Sequence, residues 1–145
     1  MVNKALFSSG KNDWETPQWL FDELDEEFHF TLDPCASHET AKCNKYYTVE
    51  DDGLIQNWGN EIVFCNPPYS NIMQTEWVKK CYEHSKRGGI AVMLIPARTD
   101  TKRFHDYILG KAEIRFIRGR LKFGNSSNSA PFPSMIVIFD GRKNN

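Results

Sequence analysis

Missing from these 145 residues is any apolar run near the roughly 20 that a bilayer-spanning helix requires. The first residues, Met1 to Asn12, carry neither an apolar signal core nor a small-residue cleavage site. Neither secretion nor membrane insertion is therefore expected, and the expected compartment is the cytoplasm. Cysteine is scarce, with four residues separated by 7, 21 and 15 others, a spacing that matches no zinc or redox motif. Cys35, His38 and Cys43 come nearest to a metal cluster but lack tight pairing and a fourth ligand, so no metal is expected. Low-complexity tracts and internal repeats are also absent, which excludes repeat arrays and extended disorder. Net charge is nearly absent too, at −1, and taken alone that argues against a polyanionic partner.

The total conceals its distribution. Residues 1–73 hold 4 Lys and Arg against 13 Asp and Glu, a balance of −9, whereas residues 74–145 hold 14 against 6, a balance of +8. A chain so divided suits a C-terminal half that faces phosphates and an N-terminal half that holds a cationic ligand. With 40% hydrophobic and 26% charged residues, the length suits one soluble globular domain with one site. The expected division is a flexible arm over residues 1–13, a body over 14–139 and a tail over 140–145. No signal of oligomeric state is present.

Helical and strand patterns alternate along the body. Trp19, Leu20, Leu24 and Phe28 recur at helical spacing, predicting a helix over Gln18 to Phe28 with Thr16 as N-cap and Pro17 at its first position. Short strands are expected over Phe28 to Leu32 and Tyr46 to Val49, with one helical turn over Leu54 to Trp58. Ile62 to Cys65 is a third strand. Thr75 to Lys86 reads as a helix closed by Gly88-Gly89. Ile90 to Ile95 is continuously apolar, the mark of a strand buried on both faces. Asp100 to Leu109 is a short helix and Glu113 to Ile117 a strand extended through Gly119 to Phe123. Met135 to Phe139 closes the fold after a polar loop over Gly124 to Pro133. This alternation predicts an α/β fold with a mostly parallel sheet and an antiparallel C-terminal strand, its ligand sites at the carboxyl ends of strands.

One such end carries the strongest local signal, Asn66-Pro67-Pro68-Tyr69 behind the apolar run Ile62 to Cys65. Two prolines cannot continue a central strand, because each lacks an N–H and fixes φ, so the backbone leaves the sheet rigidly. On that platform the Asn66 side-chain carbonyl and the Pro67 carbonyl can accept hydrogen bonds while Tyr69 offers a flat face. A planar amine fits this arrangement. An exocyclic amine on a base is a poor nucleophile until acceptors draw its hydrogens out of plane and localise its lone pair.

Glu15-Thr16-Pro17, Leu32-Asp33-Pro34-Cys35-Ala36, Asp52-Gly53-Leu54 with Trp58, and Asn66-Pro67-Pro68-Tyr69 follow one another in the order found in amino-group DNA methyltransferases. From Trp14 to Phe139 the chain resembles the phage-type DNA N6-adenine methyltransferase (Dam) family. Leu94-Ile95-Pro96-Ala97-Arg98-Thr99 and Gly119-Arg120-Leu121-Lys122-Phe123 extend the likeness. The resemblance implies a Rossmann-like methyltransferase fold of reduced size, S-adenosylmethionine as cofactor and DNA as substrate, in the host cytoplasm if the chain is phage-encoded. It implies that Asp33 accepts from the methionine ammonium, with Pro34 in the same turn and Ala36 leaving room for the cofactor. Thr16 would bind the methionine carboxylate, Asp52 the cofactor's adenine amine beside Gly53, and Leu54 would pack on that ring. Asn66 and the Pro67 carbonyl, with Pro68 and Tyr69, would hold the flipped adenine. Arg98, Lys102, Arg103, Arg118, Arg120 and Lys122 would meet phosphates, and Phe132 would enter the groove or fill the gap.

The sequence departs from the wider methyltransferase pattern in having no G-x-G turn after Asp33. Glu50 and Asp51 are the candidate ribose ligands. Two other readings stay open: transfer to another planar amine (cytosine N4, an RNA base or a protein glutamine), or a catalytically silent nucleic-acid-binding protein with this fold.

Overall fold

Leu20, Phe21, Leu24 and Phe28 are all buried along one side of α1 (Gln18–Phe28). This spacing turns one stripe of the helix inward. In this computed structural model, which describes residues 14–124 and 127–144, that stripe packs on one face of a four-stranded sheet. The predicted arm over residues 1–13 lies outside the described residues. Trp19 is 55% exposed, so Phe21 takes the place in the stripe that the sequence pattern assigned to Trp19. Pro17, not Thr16, stands at the N-cap position, and its carbonyl accepts from the Leu20 and Phe21 N–H groups.

The sheet runs in the order β1 (Ile62–Cys65), β2 (Ile90–Pro96), β4 (Ser134–Asp140), β3 (Glu113–Phe116). β1 and β2 are parallel with Ile62 opposite Ile90, and α2 (Asn71–Lys86) connects them. β4 is antiparallel to both of its neighbours, with Pro96 opposite Ser134 and Glu113 opposite Ile138. The expected antiparallel C-terminal strand is therefore present, but the sheet is mixed rather than mostly parallel. β4 inserts between β2 and β3, so two of the three strand pairings become antiparallel although β1, β2 and β3 all point the same way.

Both faces of the sheet are covered. Alternate residues Ala91, Met93 and Ile95 of β2 meet Trp77, Val78 and Cys81 of α2, while Val92 and Leu94 meet the α1 stripe with Leu121 and Phe123. That double coverage explains the continuous apolar runs of β2 and β4. α2 starts at Asn71, earlier than its apolar pattern suggested, because the Ser70 hydroxyl accepts from Met73 N–H at 3.2 Å and caps it. At its other end Gly88 adopts φ 91°, and Gly88 and Gly89 return their N–H groups to Ser85 and His84.

Two predicted strands shrink to single pairings. α1 runs through Phe28 and stops at His29, φ 58°, and beyond it only Leu32 pairs with Val63 and Asp33 with Tyr46. Pro34 has no N–H to extend that ladder. The expected extension over Gly119 to Phe123 is also irregular, since Gly119 turns the chain at φ 74°. Lys102 and Arg103 begin a helical turn that widens over Phe104–Ile108, closed by Leu109 N–H to the Phe104 carbonyl at 2.8 Å. The expected tail begins inside β4: Asp140 is its last residue, and Gly141 N–H bonds the Gly89 carbonyl at 2.7 Å.

Candidate active site

β1 ends at Cys65, and the double proline carries Asn66 out of the sheet into a buried position, 7% exposed. Its amide is engaged at both ends. Nδ2 donates to the Trp14 carbonyl at 2.7 Å and to Thr16 Oγ1 at 3.0 Å, and Oδ1 accepts from the Tyr69 hydroxyl at 3.1 Å. Pro67 and Pro68 are buried, and the Pro68 carbonyl accepts from Gln74 Nε2 of α2 at 3.0 Å. Burial pushes the Tyr69 phenol well above its ordinary value, so it remains a hydrogen-bond donor at neutral pH.

The Tyr69 ring is stacked against Trp14, centroids 5.4 Å apart and planes at 29°. Phe132 and Phe123 meet it edge-on at 5.4 and 6.1 Å. Arg98, on the exposed turn after β2, lays its guanidinium over Phe132 at 5.7 Å. Two distant segments thus converge on the ring that the sequence pattern singled out.

Beside Asn66 lies a crevice lined by Glu15, Thr16, Asp33, Lys42 and Asn66 among others, with about 10 Å³ of room. That is space for roughly one water. Three predicted site residues, Thr16, Asp33 and Asn66, meet here. Asp33 is 5% exposed and its Oδ2 accepts from the Lys42 backbone N–H at 3.0 Å. Pro34 and Gly53 are in direct backbone contact, for a Cβ on Gly53 would sit 2.0 Å from the Pro34 carbonyl oxygen. That contact joins the two predicted acidic turns. Ala36, buried, donates its N–H to the Tyr47 carbonyl at 2.9 Å. Asp52, buried with φ 55°, accepts from Leu54 N–H at 3.2 Å, and Leu54 packs on the core. Glu50 and Asp51 are exposed, and Asp51 holds its own turn by accepting from Thr48 N–H at 2.8 Å.

Of the predicted phosphate ligands, Lys102, Arg118, Arg120 and Lys122 are exposed like Arg98. Arg103 is different, being 8% exposed, with Nη1 donating to Asn71 Oδ1 at 2.5 Å and so strapping the start of α2. Phe132 is 6% exposed and forms a wall of the Tyr69 cluster. Among the described residues no group of three His, Cys, Asp or Glu side chains is placed to hold a metal ion. No helix among them is long and apolar enough to cross a membrane.

Three contributors escaped the sequence patterns: the ring and carbonyl of Trp14, Gln74, and Lys42. Trp14 stands alone in a polar stretch with no periodic partner. Lys42 has no local signal at all.

A mixed α/β sheet that gathers an Asn-Pro-Pro-Tyr turn and two acidic turns at one region is compatible with the methyltransferase class of folds. The chain belongs to the DNA N-6-adenine-methyltransferase (Dam) family, which it matches over residues 4–144. It is 30% identical over 150 residues to a DNA N-6-adenine-methyltransferase of Haemophilus phage HP1, an alignment covering 97% of this chain and 85% of the phage protein. It is 34% identical over 110 residues to the DNA N-6-adenine-methyltransferase of Escherichia phage T1, covering 74% of this chain and 45% of that protein.

Proposed function

We propose that this chain transfers a methyl group from S-adenosylmethionine to the N6 amine of adenine in DNA, with body 14–139 as the catalytic unit and the cytoplasm as its place of work. Family membership supports adenine-specific DNA methylation, and the buried Asn66 beside Tyr69 carries the proposed chemistry. The donor set of the crevice suits the amino-acid end of the cofactor, since it offers carboxylates, a hydroxyl and an ammonium. Its room for one water means that side chains must part to admit that group. When bound, S-adenosylmethionine supplies a methyl group activated on a sulfonium.

Asn66 Oδ1 and the Pro67 carbonyl would accept from the N6 amine and aim its lone pair along the line of transfer. Tyr69, which donates to Oδ1 at 3.1 Å, would give up that bond and stack on the base. Trp14 is stacked on Tyr69 where a base would lie, so it must yield for the base to enter. An adenine inside a duplex cannot reach Asn66, so it must be extruded, at a cost of about a few kcal/mol that stacking and phosphate contacts offset. After transfer the amine sheds a proton. Asn66 has no basic group to take it, and water carries it away.

Labelled S-adenosylmethionine and unmethylated DNA provide the test. After digestion to nucleosides the label is expected in N6-methyladenine; label in N4-methylcytosine, or none on DNA, overturns the reading.

A further inference from the structure

We propose that Lys42 is the carboxylate-binding residue of the donor site, held in readiness by Glu15. The proposal rests on the reading that the crevice takes the amino-acid end of S-adenosylmethionine.

The Lys42 side chain is 7% exposed, although lysine is among the residues least often buried. Its Nζ lies 3.2 Å from Glu15 Oε2 and donates to Gln18 Oε1 at 2.9 Å. Its backbone N–H donates to Asp33 Oδ2 at 3.0 Å. One residue therefore steadies the acidic group from its backbone and extends an ammonium along the same crevice. Glu15 is 34% exposed, so the pair is buried on the lysine side, and taking that ammonium out of water together with the freedom of a long side chain offsets much of its attraction. Structural support alone does not account for the burial.

Ligand chemistry does. The amino-acid end of the donor is a zwitterion, and each of its charges needs a counter-charge when it leaves water. Asp33 serves the ammonium. Among the described residues that line the crevice, Lys42 is the one cation available for the carboxylate. The Thr16 hydroxyl, assigned to that carboxylate from the sequence, accepts from Asn66 Nδ2 at 3.0 Å and keeps its own proton to donate, but it brings no charge. Lys42 bridges the chain before α1 and the loop after Asp33, so its departure from Glu15 both opens the crevice and frees a charge. Binding becomes an exchange of ion pairs, Lys42 passing from Glu15 to the carboxylate.

Calorimetric titration of the full chain compares S-adenosylhomocysteine with its decarboxylated analogue, S-adenosyl-3-thiopropylamine, which retains the ammonium and the thioether and lacks only the carboxylate. Wild type is expected to bind the carboxylate-bearing ligand more tightly; equal affinity overturns the proposal without any variant. Lys42→Met should weaken S-adenosylhomocysteine binding by about tenfold to a hundredfold, the size of one charge-assisted hydrogen bond, and leave the decarboxylated ligand within about twofold. Equal losses for both ligands would mark a structural role and overturn it. Glu15→Gln should tighten the carboxylate-bearing ligand, and a melting curve for each variant verifies folding. Wild type that binds neither ligand overturns the donor reading itself, a result distinct from the others.

Discussion

Asn66 satisfies its amide wholly within the protein, through Trp14, Thr16 and Tyr69, and this makes its replacement informative in two ways. Asn66→Ala should lower methyl transfer by at least about 100-fold, the usual loss when a group aimed at the reacting centre is removed. It should also cost about 1–3 kcal/mol of stability, because the Trp14 carbonyl and Thr16 hydroxyl lose their donor. Single-turnover transfer and urea unfolding measure the two effects separately; transfer at the wild-type rate would remove Asn66 from the mechanism. Gly53 acts through space alone. A Cβ there would fall 2.0 Å from the Pro34 oxygen and 2.9 Å from the Trp77 ring, and neither a backbone carbonyl nor a buried indole gives way cheaply. Gly53→Ala should therefore destabilise by about 1–3 kcal/mol, lowering Tm by roughly 3–9 °C. A calorimetric shift under one degree would show that the two acidic turns are not tightly joined.

α2 is the element on which the site depends. Its first turn is held by the Ser70 cap and by Arg103 on Asn71, and its Gln74 grips the Pro68 carbonyl, so the double-proline turn cannot shift without it. Farther along, His84, 1% exposed, meets the Glu61 carbonyl at 2.9 Å through Nε2 and packs on Trp58 at 5.4 Å. A carbonyl only accepts, so Nε2 carries the proton of the neutral ring. Burial holds His84 below its ordinary pKa of 6.5, the carbonyl only partly offsetting that effect. The unfolded chain therefore binds a proton at a pH where the folded chain does not, and stability must fall as pH drops below about 6.5. Urea unfolding between about pH 7.5 and 5.5 should show this decline in wild type and a flatter profile in His84→Gln. Parallel profiles would contradict it. By contrast, Arg115 joins α1 to β3 through Glu27, at 2.7 and 2.8 Å, and lowers the Glu27 pKa. Both partners are well exposed, so the pair contributes no more than about 1 kcal/mol.

For the whole molecule, strand direction decides where the charge goes. Arg98 and Lys102 follow the C-terminal end of β2, while Arg118, Arg120 and Lys122 follow that of β3, and both strands point the same way as β1. The basic segments and the Asn66 turn therefore leave the sheet at one edge, and these five exposed cations gather there, whereas Arg87 and Arg142 lie beside Gly88 and Gly89 at the opposite edge. Each phosphate contact releases counterions, steepening the fall of DNA affinity with salt by about 0.9 per contact. Neutralising Arg118, Arg120 and Lys122 together should reduce the slope of log affinity against log salt by about 2–3 while donor affinity stays unchanged. An unaltered slope would place the phosphate path elsewhere.

Much of this was legible along the chain, because it depends on neighbours about four residues apart or fewer. Apolar runs marked β1, β2 and β4, the double proline marked the exit from β1, and Gly88-Gly89 marked the end of α2. The order of the four motifs was enough to indicate the family. Tertiary structure alone decided the rest. β4 pairs with both β2 and β3, and that choice depends on which long loops close and which faces bury best. Thr16 suits an N-cap locally, yet its hydroxyl serves Asn66, 50 residues away. Phe132 and Trp14 look like isolated aromatics and become the enclosure of Tyr69. Lys42 reads as one more charge in a polar loop until folding sets it beside Glu15, 27 residues away, in the same crevice as Asp33. Local preference selects the elements, but contacts between residues far apart in the chain are created only when those elements pack.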